Sequence, residues 1–395
     1  MILYDPGVTV NYQDYGIMLP IAPDRVNRVL EFLRAQGKCF ISGANSENIN
    51  NKNENAFPAL DFSAARTLLG LNETDCALNS EDLERVHSKE YIDALYGNGI
   101  EAALLKTFEL IDEHGNHRRY EPDRAVKPLS DLFRVLAAQA GGTYLACLLA
   151  LETPPHGTLA DTGGFCYYLG GGMHHARYDS GSGFCLINDV AAAAFKLTAL
   201  KKASHIWIID MDAHKGDGSA ELVQFARDRG VLRLPGGKHS RLTTSGDKPS
   251  ILTLSIHMAQ GWPLDKDSLA LAEKGRAPLI PSDVDIGIDS GMEAEYTPRL
   301  AEGIKKLEAL CGDSHLKSRP DFAIVVDGAD PYEHDGLASS GLLRLTLDQC
   351  IERDNFIYNY LKERKIPSAW IQSGGYGERA WEPSAHFLKS VFKNA

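Results

Sequence analysis

The sequence predicts a single-domain α/β protein whose central parallel sheet has about eight strands, with helices on both faces. Apolar runs that end in polar residues alternate with amphipathic segments of helical period along the second half of the chain. Most of these runs, such as IWII and FAIVV, are continuous, without polar residues at alternate positions, which is typical of parallel strands buried on both faces. The chain has 395 residues, 44% of them hydrophobic, and this length is sufficient for one large core.

The individual elements follow from periodicity, in chain order. The first amphipathic segment, 23–36, places Val26, Leu30 and Leu33 on one face of a predicted helix. Residues 130–151 contain the apolar run AAQAGGTYLACLLAL and are predicted to form a long buried helix. Downstream, strands are predicted at 204–210, 250–257, 321–327 and 367–373, and helices at 219–228, 296–310 and 345–364.

Charge and cysteine content restrict the class of protein. The net charge of −12 arises from 41 basic and 53 acidic residues, a balance that favours solubility and argues against direct nucleic-acid binding. Seven scattered cysteines, none in a C-x-x-C pair, indicate reduced thiols in a reducing compartment. The N-terminal residues lack the pattern of a classical signal peptide, and no apolar run reaches about eighteen residues. We therefore expect a cytoplasmic protein without a membrane span.

One stretch interrupts the alternation of strands and helices. Residues 229–248, RGVLRLPGGKHSRLTTSGDK, are rich in Gly, Ser, Thr and basic residues and have no helical period. A loop of this length inside a compact domain is usually a tolerated surface insertion or a functional loop. We expect one domain over residues 1–395, with 229–248 as a loop insertion.

Polar side chains suited to metal binding follow three of the predicted strands. In IIDMDAH, Asp210, Asp212 and His214 alternate along an extended segment, so their side chains point to the same side. Asp330 follows the strand DFAIVVD in the sequence GAD, and Tyr376 follows PSAWIQS in the sequence GGY. Ligands of parallel α/β sheets bind beyond the carboxyl ends of the strands. These side chains are therefore expected to converge at one edge of the sheet.

A fourth polar motif is the glycine-rich GGGMHH, which places His174 and His175 side by side. Two carboxylates and an imidazole form a donor set that suits Zn2+ with an open position for water, and Fe2+ fits the same donors. Adjacent histidines can act as general base and general acid, and a tyrosine hydroxyl can stabilise an oxyanion. Together these groups indicate metal-assisted hydrolysis of an amide.

Each motif alone has a simpler interpretation. A D-x-D pair at a strand end also binds Mg2+ or caps a helix, and adjacent histidines are often a surface pair or a hydrogen-bonded core pair. The GGY motif alone is a turn that carries an aromatic residue, and Asp330 alone could cap the segment that follows it. The joint occurrence of these motifs at successive strand ends favours a chemical site.

The motifs resemble those of the histone deacetylase superfamily. The matching stretches occur in the family's order between Leu83 and Arg379. They are LERVHSKEYIDAL, GGGMHHARYDSGSGFCLINDVAAAA, IIDMDAHKGDG, LTLSIH, VVDGADPYEHDGLA and QSGGYGERA. GGGMHH and SGGYGERA look closest to the class IV type and its bacterial relatives. The resemblance implies an arginase-like α/β fold and a zinc-dependent hydrolase that acts on acyl-lysine or acetylpolyamine amides.

The resemblance also implies roles for individual residues of this chain. The metal ligands would be Asp212, His214 and Asp330. The groups that handle protons would be His174 and His175, with the carboxylate partners Asp210 and Asp217. Tyr376 would polarise the substrate carbonyl. The acyl-lysine channel would be lined by Gly183, Phe184 and Trp262. A structural K+ would lie among Asp210, Asp212, His214, Ser255 and Ile256.

The chain departs from the family's pattern at particular positions, which leaves the substrate open. Lys215 stands where many relatives have histidine or glutamine, and Leu19 stands where many have histidine before proline. Protein lysine that carries an acetyl or longer acyl group is the first expectation, and small acetylated polyamines or metabolites are the alternative. Two hypotheses of other classes are a binuclear manganese ureohydrolase, which needs more carboxylates, and a non-catalytic metal-binding interaction module.

Overall fold

A nine-stranded parallel sheet forms the centre of the described part of the protein. The computed structural model describes residues 1–42, 57–152, 164–233, 248–265, 279–311 and 319–391. In chain order the strands are β1 (Ile2–Leu3), β2 (Cys39–Ser42), β3 (Phe57–Leu60), β4 (Phe165–Tyr168), β5 (His205–Asp210), β6 (Ser250–Met258), β7 (Val284–Ile288), β8 (Phe322–Asp327) and β9 (Ser368–Gln372). Their order across the sheet is β2-β3-β1-β4-β9-β8-β5-β6-β7, and every neighbouring pair is parallel.

Helices cover both faces of this sheet and enclose two hydrophobic cores. Within the described ranges the α-helices are α1 (Arg25–Ala35), α2 (Phe62–Leu69), α3 (Glu73–Cys76), α4 (Ser80–Glu84), α5 (Lys89–Tyr96), α6 (Ile100–Thr107), α7 (Leu132–Glu152), α8 (Asp189–Ala199), α9 (Asp217–Asp228), α10 (Tyr296–Cys311), α11 (Leu347–Glu363) and α12 (Glu382–Val391). One core lies between the sheet and α2 to α9. The other lies between the sheet and α1, α10, α11 and α12.

Strand β5 shows why the apolar runs of the sequence are continuous. Ile206 and Ile208 belong to one core, whereas Trp207 and Ile209 belong to the other. All four are at most 1% exposed, and full burial of a large aliphatic side chain contributes roughly 1.5–3 kcal/mol. The strand has no face for water, and after His205 at its start no polar residue follows until Asp210, at its carboxyl end.

The sequence predicted the longer elements closely and missed the shorter ones. The expected parallel sheet with helices on both faces is confirmed, with nine strands rather than about eight. Each strand and helix predicted by range is present. Strands β1 to β4 and β7 were not predicted, because runs of two to five residues are too short to show a period. Residues 234–247, most of the expected insertion at 229–248, lie outside the described residues.

The most apolar long helix lies in the core. In the described part of the chain, the stretch Leu129–Glu152 is long and apolar enough by composition to cross a membrane, but 67% of its apolar window is buried inside the protein. This burial indicates a core helix, as the sequence predicted for 130–151. The seven cysteines are buried as well, in agreement with their expected role as apolar filling.

Candidate active site

Four adjacent strands at the centre of the sheet carry the predicted site residues beyond their carboxyl ends. The order β4-β9-β8-β5 makes neighbours of the loops that follow these strands. In that order the loops contain the pair His174 and His175, then Tyr376, then Asp330, then Asp212. The sequence located the motifs after strands, but the strand order is what brings them together.

The predicted metal ligands form a compact buried group. Asp212, His214 and Asp330 each offer one ligand atom, and these atoms lie within 4.8 Å of one another. His214 Nδ1 lies 2.9 Å from Asp330 Oδ2 and 3.3 Å from Asp212 Oδ1. Backbone N–H groups hold the remaining oxygens: Ala213 donates to Asp330 Oδ1 at 2.9 Å, and Gly374 donates to Asp212 Oδ2 at 3.0 Å. These donors orient both carboxylates toward the imidazole, as a preformed metal site requires.

The electrostatics of this donor set favour a divalent cation. Burial raises the pKa of Asp330 to about 6, and repulsion from Asp212 adds to the effect. Burial lowers the pKa of His214, but hydrogen bonds to Asp212 and Asp330 outweigh it and raise this pKa to about 10. Buried carboxylates this close to each other need a positive charge between them, and mixed oxygen and nitrogen donors suit Zn2+ or Fe2+. The residues present therefore fit the predicted metal.

The two adjacent histidines each have a carboxylate partner. His174 Nδ1 lies 2.6 Å from Asp210 Oδ2, and His175 Nδ1 lies 2.8 Å from Asp217 Oδ1. Burial lowers the pKa of His174, but Asp210 and Asp212 outweigh it and raise this pKa to about 9. Burial and the charge of His174 lower the pKa of His175 to about 4. The two rings, 3.9 Å apart between centroids, thus share one proton near neutral pH, which suits proton transfer.

The histidine pair also belongs to a second group of potential metal donors. His174, His175 and Asp212 offer ligand atoms within the same 4.8 Å spacing. This group shares Asp212 with the first, so the described residues provide no separate carboxylate set for a second ion. The arrangement disfavours the binuclear ureohydrolase that the sequence left open.

Two residues that no sequence motif singled out, Asn188 and Asp189, hold the loop that carries His174 and His175 in place. The carboxylate of Asp189 accepts hydrogen bonds from the backbone N–H groups of Gly172 at 3.0 Å and Met173 at 2.6 Å. The side-chain amide of Asn188 donates to the carbonyl of His174 at 3.0 Å. Asn188 and Asp189 are fully buried. The available signal was the pair itself, because the polar Asn188 caps the alanine-rich helix α8 and the acidic Asp189 begins it.

The predicted channel residues surround one opening, here called the entrance cavity, which leads to the histidine pair. Gly183, Phe184 and Trp262 line it together with His175 and Tyr376. The centroids of the Trp262 and His175 rings are 4.6 Å apart. A Cβ added at Gly183 would lie 2.4 Å from the Trp262 ring, so only glycine lets the tryptophan approach this closely. The structure therefore places Trp262, whose sequence position alone was ambiguous, at the predicted channel.

Tyr376 lies between the entrance cavity and the interior. Its side chain lines both the entrance cavity and the inner cavity behind it, and only 9% of the residue is exposed. Burial raises the pKa of Tyr376 well above its usual value, and the carboxylates of Asp330 and Asp212 add to the effect. The phenol therefore stays protonated and can donate a hydrogen bond.

The inner cavity has a volume of about 140 Å³, which is room for several water molecules or a small carboxylate. Tyr12, Arg25 and Gln139 line it. Arg25 Nη1 donates to the carbonyls of Ser373 and Gly375, both at 3.2 Å. Burial lowers the pKa of Arg25. A half-buried guanidinium that is hydrogen-bonded to two loop carbonyls gives this cavity a positive wall that suits an anion.

The five residues predicted to hold K+ lie at the adjoining ends of β5 and β6. Asp210 pairs with Ser255 in the register of the two strands. Ser255 Oγ accepts a hydrogen bond from the backbone N–H of Gly216 at 3.3 Å. Ile256 continues β6, and His214 follows β5 in the same buried layer. Binding of K+ to these residues stays a prediction.

Lys215, which departs from the family's pattern, is itself buried and pairs with a carboxylate. Its ammonium donates to a carboxylate oxygen of Asp285 on β7, and only 4% of its side chain is exposed. His257 Nε2 lies 3.5 Å from the same oxygen. Burial raises the pKa of Asp285, but His257 and Lys215 outweigh it and hold this pKa below its usual value. Lys215 therefore links the loop after β5 to β7, at the side of the ligand group.

Replacing Asp285 with alanine is expected to destabilise the protein by about 1–3 kcal/mol, because the Lys215 side chain, 4% exposed, keeps its burial and loses its carboxylate partner. The change is measured as the free energy of unfolding in denaturant. Asp93→Ala is the matched control, because Asp93 also pairs with a lysine but is 61% exposed, and its loss is expected to cost under about 0.5 kcal/mol. Equal effects of the two variants would contradict a structural role for the Lys215 pair.

Fold and site together define a class of protein. A parallel α/β sheet presents a buried Asp-His-Asp group, a carboxylate-linked histidine pair and a buried tyrosine around one cavity. This combination is typical of metal-dependent amide hydrolases.

The chain belongs to the histone deacetylase domain family, whose model matches residues 20–391. It is 24% identical to histone deacetylase 2 of Arabidopsis thaliana over 75% of this chain and 60% of that protein. It is 31% identical to the acetoin utilization protein AcuC of Bacillus subtilis over 54% of this chain and 46% of that protein. The chain thus spans less than two thirds of the length of these relatives. The acetylpolyamine aminohydrolase of Burkholderia pseudomallei shares the fold, with a TM-score of 0.59, 17% identity and 98% coverage of both chains.

Proposed function

We propose that this protein is a zinc-dependent amidohydrolase that removes acetyl or longer acyl groups from lysine side chains of proteins. The observation that carries the proposal is the convergence of the ligand group, the histidine pair and Tyr376 on one cavity. Family membership supports hydrolysis of an amide. A non-catalytic module would be expected to lack part of this set, and every part is present.

Each group has a defined role in this proposal. Asp212, His214 and Asp330 would hold Zn2+, which when bound supplies Lewis acidity to the water and to the carbonyl. The histidine pair takes a proton from the attacking water and returns it to the leaving amine. Asp210 and Asp217 keep the Nδ1 positions of the two rings occupied, which directs the Nε2 positions to the reaction. The Tyr376 hydroxyl donates to the oxygen on which negative charge develops.

The cavities on either side of the site suit the two ends of an acyl-lysine. Phe184 and Trp262 give the entrance cavity aromatic walls, against which the aliphatic stem of a lysine can pack. Behind the site, the inner cavity faces the acyl group, and Arg25 lies on its wall. The guanidinium of Arg25 would attract the carboxylate product once the amide is cleaved.

The charge at the entrance favours a protein lysine over a polyamine. The Arg119 guanidinium lies 5.5 Å from the centroid of the Phe184 ring, and Arg119 Nη1 donates to Glu109 at 2.7 Å. The Asp112 carboxylate accepts hydrogen bonds from two backbone N–H groups of its own turn. Glu109 is shared by two arginines, since Arg118 Nη1 also lies 3.7 Å from its carboxylate, so this group keeps a net positive charge beside the channel wall. The free ammonium groups of an acetylated polyamine would be repelled there.

One observation favours the polyamine alternative. Four acids line the entrance cavity, and they are Glu109, Asp112, Glu113 and Asp265. Their combined charge would attract a cationic chain if Arg119 contributed little at the channel wall. The two substrate hypotheses therefore predict different effects of Arg119 on substrate binding.

A panel of acetyl-lysine peptides, long-chain acyl-lysine peptides and acetylpolyamines, assayed with zinc-loaded protein, tests the proposal. We expect the peptides to have the higher kcat/KM. Arg119→Glu is expected to raise kcat/KM for acetylpolyamines relative to peptides by about 10-fold, because it reverses a charge beside the substrate. Arg124→Glu is the control, since Arg124 is 75% exposed and pairs with Glu121. Higher turnover of acetylpolyamines by the unaltered protein would select the alternative, and no turnover of any amide would refute the hydrolase.

A further inference from the structure

The backbone of Tyr376 is held on both of its polar groups by the loop that follows the ligand Asp330. Asp335 Oδ2 accepts a hydrogen bond from the Tyr376 N–H at 2.7 Å. The N–H of the next residue, Gly336, donates to the Tyr376 carbonyl at 2.9 Å. On the other side, the N–H of Gly377 donates to the carbonyl of Pro20 at 2.5 Å. The orientation of Tyr376 is therefore set by segments distant from it in the sequence.

Asp335 is itself fixed, so it can act as a rigid support. Its Oδ1 accepts from the backbone N–H of Leu337 at 2.8 Å and from the Ser340 hydroxyl at 2.7 Å. With Oδ2 bound to the Tyr376 N–H, both carboxylate oxygens are engaged. In the described residues the side chain makes no hydrogen bond to the ligand group, so its hydrogen-bonded link to the site is through Tyr376.

The two residues before Tyr376, Gly374 and Gly375, have no side chains and are themselves held by other segments. The Gly374 N–H donates to Asp212 at 3.0 Å, and the Gly375 carbonyl accepts from Arg25 at 3.2 Å. Gly375 has a φ of 150°, a backbone conformation that residues other than glycine rarely adopt. A displacement of about 1 Å in a reacting group can lower the rate by about 10²-fold. Hydrogen bonds from other segments of the chain therefore keep the Tyr376 hydroxyl in position.

We propose that Asp335 is a positioning residue that holds the Tyr376 hydroxyl in place for the reaction by accepting the Tyr376 backbone N–H. The inference rests on the proposed role of Tyr376 in amide hydrolysis. It adds a residue that touches neither the substrate nor the metal ligands.

Asp335→Asn tests this inference with almost no change in shape. The asparagine amide has one accepting oxygen and one donating NH2 group. The NH2 group must therefore face either the Tyr376 N–H or the Leu337 N–H and Ser340 hydroxyl, all of which are donors as well. We expect kcat for an acyl-lysine peptide to fall about 10-fold or more, with KM within about twofold and zinc stoichiometry unchanged. Assays at about pH 8.5 keep the carboxylate of the unaltered protein ionised, since burial and the charge of Asp330 raise the pKa of Asp335 to about 7.

Two further variants separate positioning from general stability. Ser340→Ala removes one hydrogen bond to the same carboxylate without touching Tyr376, and is expected to keep kcat within about twofold. Gly336→Ala places a Cβ 3.1 Å from the Gly377 backbone and 3.3 Å from the Tyr376 carbonyl carbon. Because Gly336 is exposed, this variant should fold, and it is expected to reproduce the loss of kcat. Unchanged kcat in Gly336→Ala, or in folded Asp335→Asn, would overturn the inference.

A double-mutant cycle distinguishes failure of the inference from failure of the proposed function. In a Tyr376→Phe background, Asp335→Asn is expected to lower kcat no further, because the group that it positions is gone. An equal loss in both backgrounds would show a role independent of Tyr376 and overturn the inference alone. Full activity of Tyr376→Phe by itself would instead refute the proposed role of Tyr376.

Discussion

Replacing Asp330 with alanine is expected to abolish stoichiometric zinc binding and to lower amide hydrolysis by about 10³-fold or more, because the loss of a Lewis acid removes several kcal/mol of transition-state stabilisation. Asp330 is 1% exposed, and its Oδ2 lies 2.9 Å from His214 Nδ1. Among the described residues, Asp330 is the carboxylate that completes a potential metal-binding group with both Asp212 and His214. Zinc content after reloading and dialysis, together with kcat/KM, measures both effects.

Loss of metal in this variant should be separable from loss of fold. Burial and repulsion from Asp212 raise the pKa of Asp330 to about 6, so its ionised form is disfavoured in the folded protein. After chelation, Asp330→Ala is therefore expected to unfold with a free energy within about 2 kcal/mol of that of the unaltered protein near neutral pH, because relief of this cost offsets the lost hydrogen bonds to Ala213 and His214. Asp228→Ala is the surface control, since Asp228 is exposed. Full zinc stoichiometry in Asp330→Ala would refute its assignment as a ligand.

The site was more predictable from the sequence than the sheet that carries it. Asp210, Asp212 and His214 lie within five residues of sequence, at the end of β5 and in the bend that follows it rather than in the extended segment expected, so local geometry alone places them together. Their proximity to Asp330 and Tyr376 depends on the strand order β9-β8-β5. Strand order is set by long-range pairing, which leaves no local pattern in the sequence. The family resemblance implied the fold that brings these residues together, whereas periodicity did not.

The supporting residues were the least predictable part of the site. Asp189 and Asp335 both act by accepting backbone N–H groups from loops distant in the sequence. Such contacts have no period and no spacing rule, although both residues lie within the motifs INDV and EHDGLA. Lys215 was likewise conspicuous in the sequence, but its partner Asp285 could be identified only from the pairing of β6 with β7.

Replacing Tyr376 with phenylalanine is expected to lower kcat for an acyl-lysine peptide by about 10²–10³-fold, the usual effect of removing one oxyanion donor. The change deletes a single hydroxyl and keeps the ring, whose centroid lies 6.4 Å from that of Phe184. Zinc content and KM should change little, because neither the ligand group nor the channel wall is altered.

The control for this variant is Tyr332→Phe, which deletes a hydroxyl that donates to Glu382 at 2.6 Å and lies outside both cavities. It is expected to keep kcat within about twofold. Because burial raises the pKa of Tyr376 well above its usual value, its hydroxyl should be a donor across the working pH range, and the loss of rate in Tyr376→Phe should not depend on pH. A loss confined to high pH would point to ionisation of another group, and turnover like that of the unaltered protein would assign the oxyanion to a different donor.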